Sequence, residues 1–90
     1  MSIEESIMRI LVDDLFICVP QAQIGLDDGL RDVLGLDSLG FVELRAQCEY
    51  TFGVTVPEEE FVPDNFSSVR TLARLVTRLR ESLLDEVGGQ

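Results

Sequence analysis

Gly35-Leu36-Asp37-Ser38-Leu39-Gly40-Phe41-Val42 marks the point in this 90-residue chain where a long polar loop gives way to a helical pattern. It places a serine at the opening of a helix, in a chain with no histidine and no lysine. A serine hydroxyl attacks poorly at neutral pH without a base, and the usual bases are imidazole or amine. The composition supplies neither, so Ser38 reads as a serine that is modified rather than catalytic. An exposed serine at a helix start suits a phosphodiester, because free backbone N–H groups and the helix dipole favour an anion there. The alternative is a simple helix N-cap, a role serine fills often.

Working outward, Phe41, Leu44, Cys48 and Phe52 recur at three and four residues, which predicts a helix from Ser38 to about Phe52 with Gly53 as its left-handed terminator. Leu39, Val42 and Ala46 form a second, shorter apolar stripe bordered by Glu43, Glu49 and Tyr50. Both stripes could be buried; an apolar strip rimmed with acids is also the composition of an exposed partner-binding face. On the N-terminal side, residues 19–37 are loop-like but carry Ile24, Leu26, Leu30, Val33, Leu34 and Leu36, so the loop is expected to be pinned to the core, with a helical turn around residues 30–34.

A first helix is expected over residues 3–18. Ser2 and Glu5 form a capping-box pattern, Ile3, Ile7, Ile10, Leu11, Leu15 and Cys18 follow at helical spacing, and Pro20 stops the run. Beyond Gly53, Thr55, Val56 and Pro57 break the helical pattern and residues 58–65 leave room for one short turn or helix. A last helix capped by Ser67 or Ser68 carries the core stripe Val69, Leu72, Val76, Leu79 and Leu83, with Arg70, Arg74 and Arg78 on a solvated face. The fold class is all-α, a four-helix bundle of three longer helices and one short one. A single domain is expected over 1–84 and a frayed tail over 85–90.

Composition narrows the functions. Seventeen acids against seven arginines give a formal charge of −10. Residues 1–66 hold 14 of the acids and 3 of the arginines. Such a balance repels nucleic acid and anionic membrane surfaces and favours basic protein partners. No apolar run approaches the ~20 residues of a membrane span, and the acidic N-terminus does not read as a signal peptide, which predicts a cytoplasmic protein; a monomer is expected. Cys18 and Cys48 lie in phase with the apolar stripes and are expected as buried reduced thiols, with no metal site. A serine hydrolase would need glycine two residues before the nucleophile, where Leu36 stands. Asp27-Asp28-Gly29-Leu30-Arg31-Asp32 lacks the alternating acids of an EF-hand.

The order of helix, long loop, Gly35-Leu36-Asp37-Ser38-Leu39 opening a second helix, Phe52-Gly53-Val54, a short acidic third element and a last helix resembles the acyl carrier proteins over roughly residues 3–84. The resemblance implies a non-enzymatic carrier whose Ser38 receives 4′-phosphopantetheine from coenzyme A through a phosphopantetheinyl transferase. Asp37 matches the family's acid before the serine, and Glu43 and Glu49 match the acids many members place along the exposed face of the second helix, which with the stripe Leu39, Val42 and Ala46 makes the expected partner-binding face. The partners implied are the transferase, an acyl-loading enzyme, and an acyltransferase or ketosynthase. Gly40 and Tyr50 stand where many members place acids, so electrostatic recognition should be weaker on this helix and its first turn should fray easily. Peptidyl carriers usually show Gly-Gly-His/Asp-Ser, which favours an acyl cargo here. Phe41-Val42-Glu43-Leu44 together with Glu60-Phe61-Val62-Pro63-Asp64-Asn65-Phe66 is similar to stand-alone carriers of specialised polyketide pathways that bear malonyl-type or three-carbon glyceryl units. A housekeeping fatty-acid carrier and an unmodified helical interaction module are the alternatives.

Overall fold

The computed structural model describes residues 2–88, with side chains through residue 83. Helix α1 spans Ile3–Arg9 and runs directly into a π-helical turn, Ile10–Asp14. Helix α2 spans Ser38–Phe52 and helix α3 Val69–Gly88, and the only other helical pieces among the described residues are 3₁₀ turns at Gln21–Gln23 and Glu58–Glu60. The protein is therefore all-helical. Where the short fourth helix was expected, the chain makes the single turn Glu58–Glu60 followed by a further turn over residues 63–66.

Each α-helix starts where its sequence supplies a cap. Glu5 N–H donates to Ser2 Oγ at 3.1 Å and Ser2 N–H to Glu5 Oε1 at 3.2 Å, the reciprocal pair of a capping box. That backbone bond from Ser2 holds the Glu5 carboxyl below the usual carboxylate range. At α3, Thr71 N–H donates to Ser68 Oγ and Ser68 N–H to Thr71 Oγ1, which makes Ser68 the capping serine of the two candidates. Helix α2 ends as expected at Gly53, at φ 66°.

The core is built from Ile7 and Leu11, Leu44 and Cys48 of α2, Val56, and Val69, Leu72 and Leu75 of α3, all fully buried. Each aliphatic side chain so buried contributes about 1.5–3 kcal/mol. The long loop joins them: Ile24, Leu30, Leu34 and Leu36 are buried, and Val33 and Leu34 N–H both return to Gly29 O, closing the turn expected around residues 30–34. Leu30 N–H donates to Ser67 O and Arg70 N–H to Leu26 O, both at 2.9 Å, which stitches the loop to the start of α3.

Four sequence expectations need correction. The first helix does not reach residue 18. Its π turn widens the spiral so that Ile10 and Leu11 both face inward, and Phe16 then turns the chain at φ 58° while Ile17 N–H reaches back to Leu11 O at 3.1 Å. A left-handed conformation costs a non-glycine residue roughly 1–2 kcal/mol. Because the helix ends before it, Cys18 is exposed, whereas Cys48 is buried and its thiol is pushed up to about 12, first by burial and then by the Glu49 charge. In α3, Leu83 lies outside the core at 47 % exposure, and Ala73 and Leu75 supply burial instead. Arg70 and Arg78 are also more than solvated stems: Arg70 grips Asp27 through two bonds of 2.7 and 3.1 Å, and Arg78 donates to Glu60 at 3.1 Å and to Asn65. The tail expected over 85–90 falls mostly on residues whose side chains are undescribed; the backbone of α3 is helical to Gly88, and 89–90 lie outside the described residues.

Candidate functional site

The site grows from one capping arrangement. Asp37 is the N-cap of α2, and its Oδ1 accepts from Gly40 N–H at 2.8 Å. Ser38 is thereby the first residue inside the helix rather than its cap. Its side chain is exposed, and its hydroxyl makes no hydrogen bond among the described residues. The amides of Ser38 and Leu39 likewise find no acceptor among the described residues, as is usual in the first turn of a helix. Gly35, at φ 80°, makes the turn that brings the loop to this helix start.

Gly40 belongs to the same arrangement. A Cβ there would meet Leu36 Cγ at 3.0 Å and Asp37 Oδ1 at 3.2 Å, so the absence of a side chain lets buried Leu36 and the capping carboxylate press against the first turn. The turn is held by the Asp37 cap, which offsets the low helix propensity on which the expectation of fraying rested.

Two depressions flank this first turn on opposite sides of α2. The first is a cleft of ≈ 530 Å³ reached from Ser38, Phe41 and Val42 and closed on its far side by Phe61 and Phe66. Phe66 is buried and meets Phe61 edge to face at 5.0 Å between ring centres. Arg31, Asp32 and Asp64 bring charge to the same cleft. The second, of ≈ 660 Å³, is bordered by Leu39, Gly40 and Glu43.

The expected partner face divides. Leu39 at 72 % and Val42 at 53 % are exposed, as are Glu43 and Ala46, so four of the five residues share one outward face of α2. Tyr50, 87 % exposed, continues that face by one more turn. Glu49 is turned inward: its Oε2 accepts from Val56 N–H at 2.7 Å and lies 3.9 Å from Arg45 Nε. Arg45 in turn bonds Val56 O and, at 2.9 Å, Glu58, with its guanidinium 4.8 Å above the Phe61 ring. Glu49 and Arg45 thus tie α2 to the segment that walls the cleft. Sequence reasoning gave no role to Arg31, Asp64 or Phe16 near Ser38. An aromatic residue off the apolar stripe was the available signal for Phe16; the two charged loop residues carried none.

This geometry can be set against known proteins. Residues 6–76 match the family model described as the phosphopantetheine attachment site. The chain belongs to the phosphopantetheine-attachment carrier family. The matched segment takes in the Asp37 cap, Ser38, all of α2 and the walls of the cleft. Among similar proteins are the D-alanyl carrier proteins of Streptococcus pyogenes serotype M5 (strain Manfredo), serotype M1 and serotype M18 (strain MGAS8232). Each is 38 % identical over 82 residues, covering 91 % of this chain and all of the relative. Carriers of this family are not catalysts; they work through a covalent 4′-phosphopantetheine, which a phosphopantetheinyl transferase installs and acyl-handling enzymes use. The relatives are named for D-alanine, and none of these names supports the polyketide pathway expected from the sequence. Among the described residues, no helix is long and apolar enough to cross a membrane.

Proposed function

We propose that Ser38 is the attachment residue and that the carrier delivers a short, polar acyl unit of about three carbons. The observation that carries the first half is the free, exposed Ser38 hydroxyl on the first residue of a capped helix, inside the segment that matches the attachment family. In attachment, Ser38 Oγ forms a bond to the coenzyme A phosphorus that bears pantetheine, and the pyrophosphate P–O bond breaks. Adenosine bisphosphate leaves, and the hydroxyl proton passes to a base of the transferase, since this chain has no histidine or lysine to take it. The Ser38 and Leu39 amides and the dipole of α2 then face the new phosphodiester. The attached arm supplies a thiol whose thioester keeps the acyl group activated yet tethered, at high effective concentration for each enzyme that follows.

The cargo reading draws on the cleft beside Ser38. Its aromatic wall is filled by Phe61 packed on Phe66, and Arg31, Asp32 and Asp64 make its border charged. A polar unit can sit against such a border without losing its solvation, whereas burying it deeper would cost unpaired polar groups. The D-alanyl group in the relatives' name and the malonyl or glyceryl units of the polyketide carriers this sequence resembles all share the three-carbon size. A fatty chain is the second reading, favoured by the apolar side chains of Phe41, Val42 and Phe61 in the same cleft. Partner enzymes are proposed to meet the exposed face Leu39, Val42, Glu43 and Ala46, with Glu49 acting from behind it.

The test is intact mass after incubation with a transferase and coenzyme A. Wild type should gain one phosphopantetheine and Ser38→Ala none. Labelling of the alanine variant, or of another serine in wild type, would refute the assignment.

A further inference from the structure

On the side of α2 away from the cleft, Phe16, Val33 and Leu39 come together in the ≈ 660 Å³ groove. All three are large apolar side chains left in solvent, at 79 %, 60 % and 72 % exposure. Phe16 is the odd member. It occupies the left-handed position that ends the first helix, a place that asks for glycine on backbone grounds, and it is the one non-glycine residue with positive φ among the described residues. With its ring in solvent, the residue gains no burial within its own fold in return for that conformation. Strained residues with no internal return are found where a surface meets something else.

The groove also has a sign. Asp14, Asp32, Asp37 and Glu43 line it and no arginine does. A second copy of this chain would bring acid against acid, whereas a basic-rimmed protein surface would be drawn to it. The position narrows the occupant further. Asp37, Leu39 and Gly40 border both the groove and Ser38. Enzymes that act on the thiol meet the far end of a flexible arm and can stand off from Ser38. The transferase must bring coenzyme A to bonding distance of Ser38 Oγ itself, and so must cover the residues beside it.

We propose that this groove is the docking surface for the phosphopantetheinyl transferase, with the Phe16 ring as anchor in an apolar pocket rimmed by the partner's lysines and arginines. The proposal rests on Ser38 being the attachment residue. It extends the contact surface from α2 onto the end of the first helix, where the one sign in the sequence is an aromatic residue off the apolar stripe.

Phe16→Gly separates docking from folding, because glycine accepts φ 58° and the variant should melt at or above the wild-type temperature. With coenzyme A and a broad-specificity phosphopantetheinyl transferase, KM for the apo carrier should rise about tenfold while kcat stays within about twofold. Titration of apo carrier into transferase without coenzyme A should show the same loss of affinity, and added salt should weaken the wild-type complex. Cys18 lies in the groove, so bound transferase should slow its alkylation, read on the mass of the carrier. Wild type labelled at Ser38, with Phe16→Gly unchanged in KM and affinity, would overturn the docking proposal alone. Absence of label on wild type would sink the Ser38 reading and this proposal together. Wild-type dimerisation that Phe16→Gly abolishes would show the occupant to be a second copy and overturn the assignment to the transferase.

Discussion

The bond from Gly40 N–H to Asp37 Oδ1 decides what substitution at Asp37 or at its neighbour Ser38 should do. Asp37→Ala removes the cap and should cost about 1 kcal/mol, lowering the melting temperature of a domain this size by about 4–8 °C. Asp37→Asn keeps an acceptor for the same amide and should restore most of that loss. Ser38→Ala should melt with wild type, because the hydroxyl it deletes bonds nothing among the described residues. Thermal denaturation of the three variants checks the assignment: a larger loss at Ser38 than at Asp37 would return the cap to the serine. Asp-Ser was legible in the sequence as a helix start. Which of the two residues caps was not, since either side chain can reach the orphan amides and the choice depends on where the Gly35 turn delivers the chain.

At the scale of elements, α2 is the instructive case. Its two apolar stripes were readable from spacing alone, and Leu44 and Cys48 on one and Leu39 and Val42 on the other separate into buried and exposed. Its acids were not separable in that way. Glu43 and Glu49 border the same stripe in sequence, yet only Glu49 accepts the Val56 N–H and neighbours Arg45. Glu43→Lys should therefore leave the melting temperature unchanged and slow transfer to or from partner enzymes. Glu49→Lys should lower the melting temperature, since loss of a charge-assisted bond to a backbone amide costs about 1–2 kcal/mol. Thermal melts beside partner kinetics distinguish them, and equal stability of the two variants would show that the Val56 bond contributes little. The early end of the first helix is the other element the pattern missed. Leu15 and Cys18 keep the helical period, and periodicity cannot report that Phe16 between them adopts a left-handed backbone.

Three predictions concern the molecule as a whole. If the cargo is a three-carbon unit, arms on Ser38 loaded with D-alanyl, malonyl or glyceryl groups should leave thermal stability and amide exchange close to those of the unloaded arm. Strong stabilisation and protection of α2 and α3 by an octanoyl arm alone would show a sequestered chain and replace this reading with the fatty-acid one. The second follows from the charge of −10. Moderate salt should raise the melting temperature by screening repulsion among the acids of residues 1–66. The gain is tempered because Asp27, Glu58 and Glu60 already face Arg70, Arg45 and Arg78. Arg70 holds the Asp27 carboxyl below its ordinary value, so the stability from this pair is present above the unfolded aspartate range and is lost as pH falls through the depressed folded value. Asp27→Asn should flatten that acid limb of a melting-temperature profile, and an unchanged slope would mean the surface pair contributes nothing measurable.

The sequence by itself determined the helical class, the caps at Ser2 and Gly53, the centres of the buried faces of α2 and α3 at Leu44, Cys48, Val69, Leu72 and Val76, and the position of Ser38 at a helix start. These depend on spacing and on local backbone chemistry, which residues a few positions apart carry in full. Only the tertiary structure decided that Asp37 rather than Ser38 caps α2, that Glu49, Arg45, Arg70 and Arg78 are committed to neighbours, and that Phe16, Val33 and Leu39 share one acid-lined groove. The Asp37 cap spans only three positions, but it depends on where the Gly35 turn delivers the chain; the other outcomes join residues 6 to 43 positions apart, set by where the loop's buried leucines and the cross-links of Arg45, Arg70 and Arg78 bring the elements to rest.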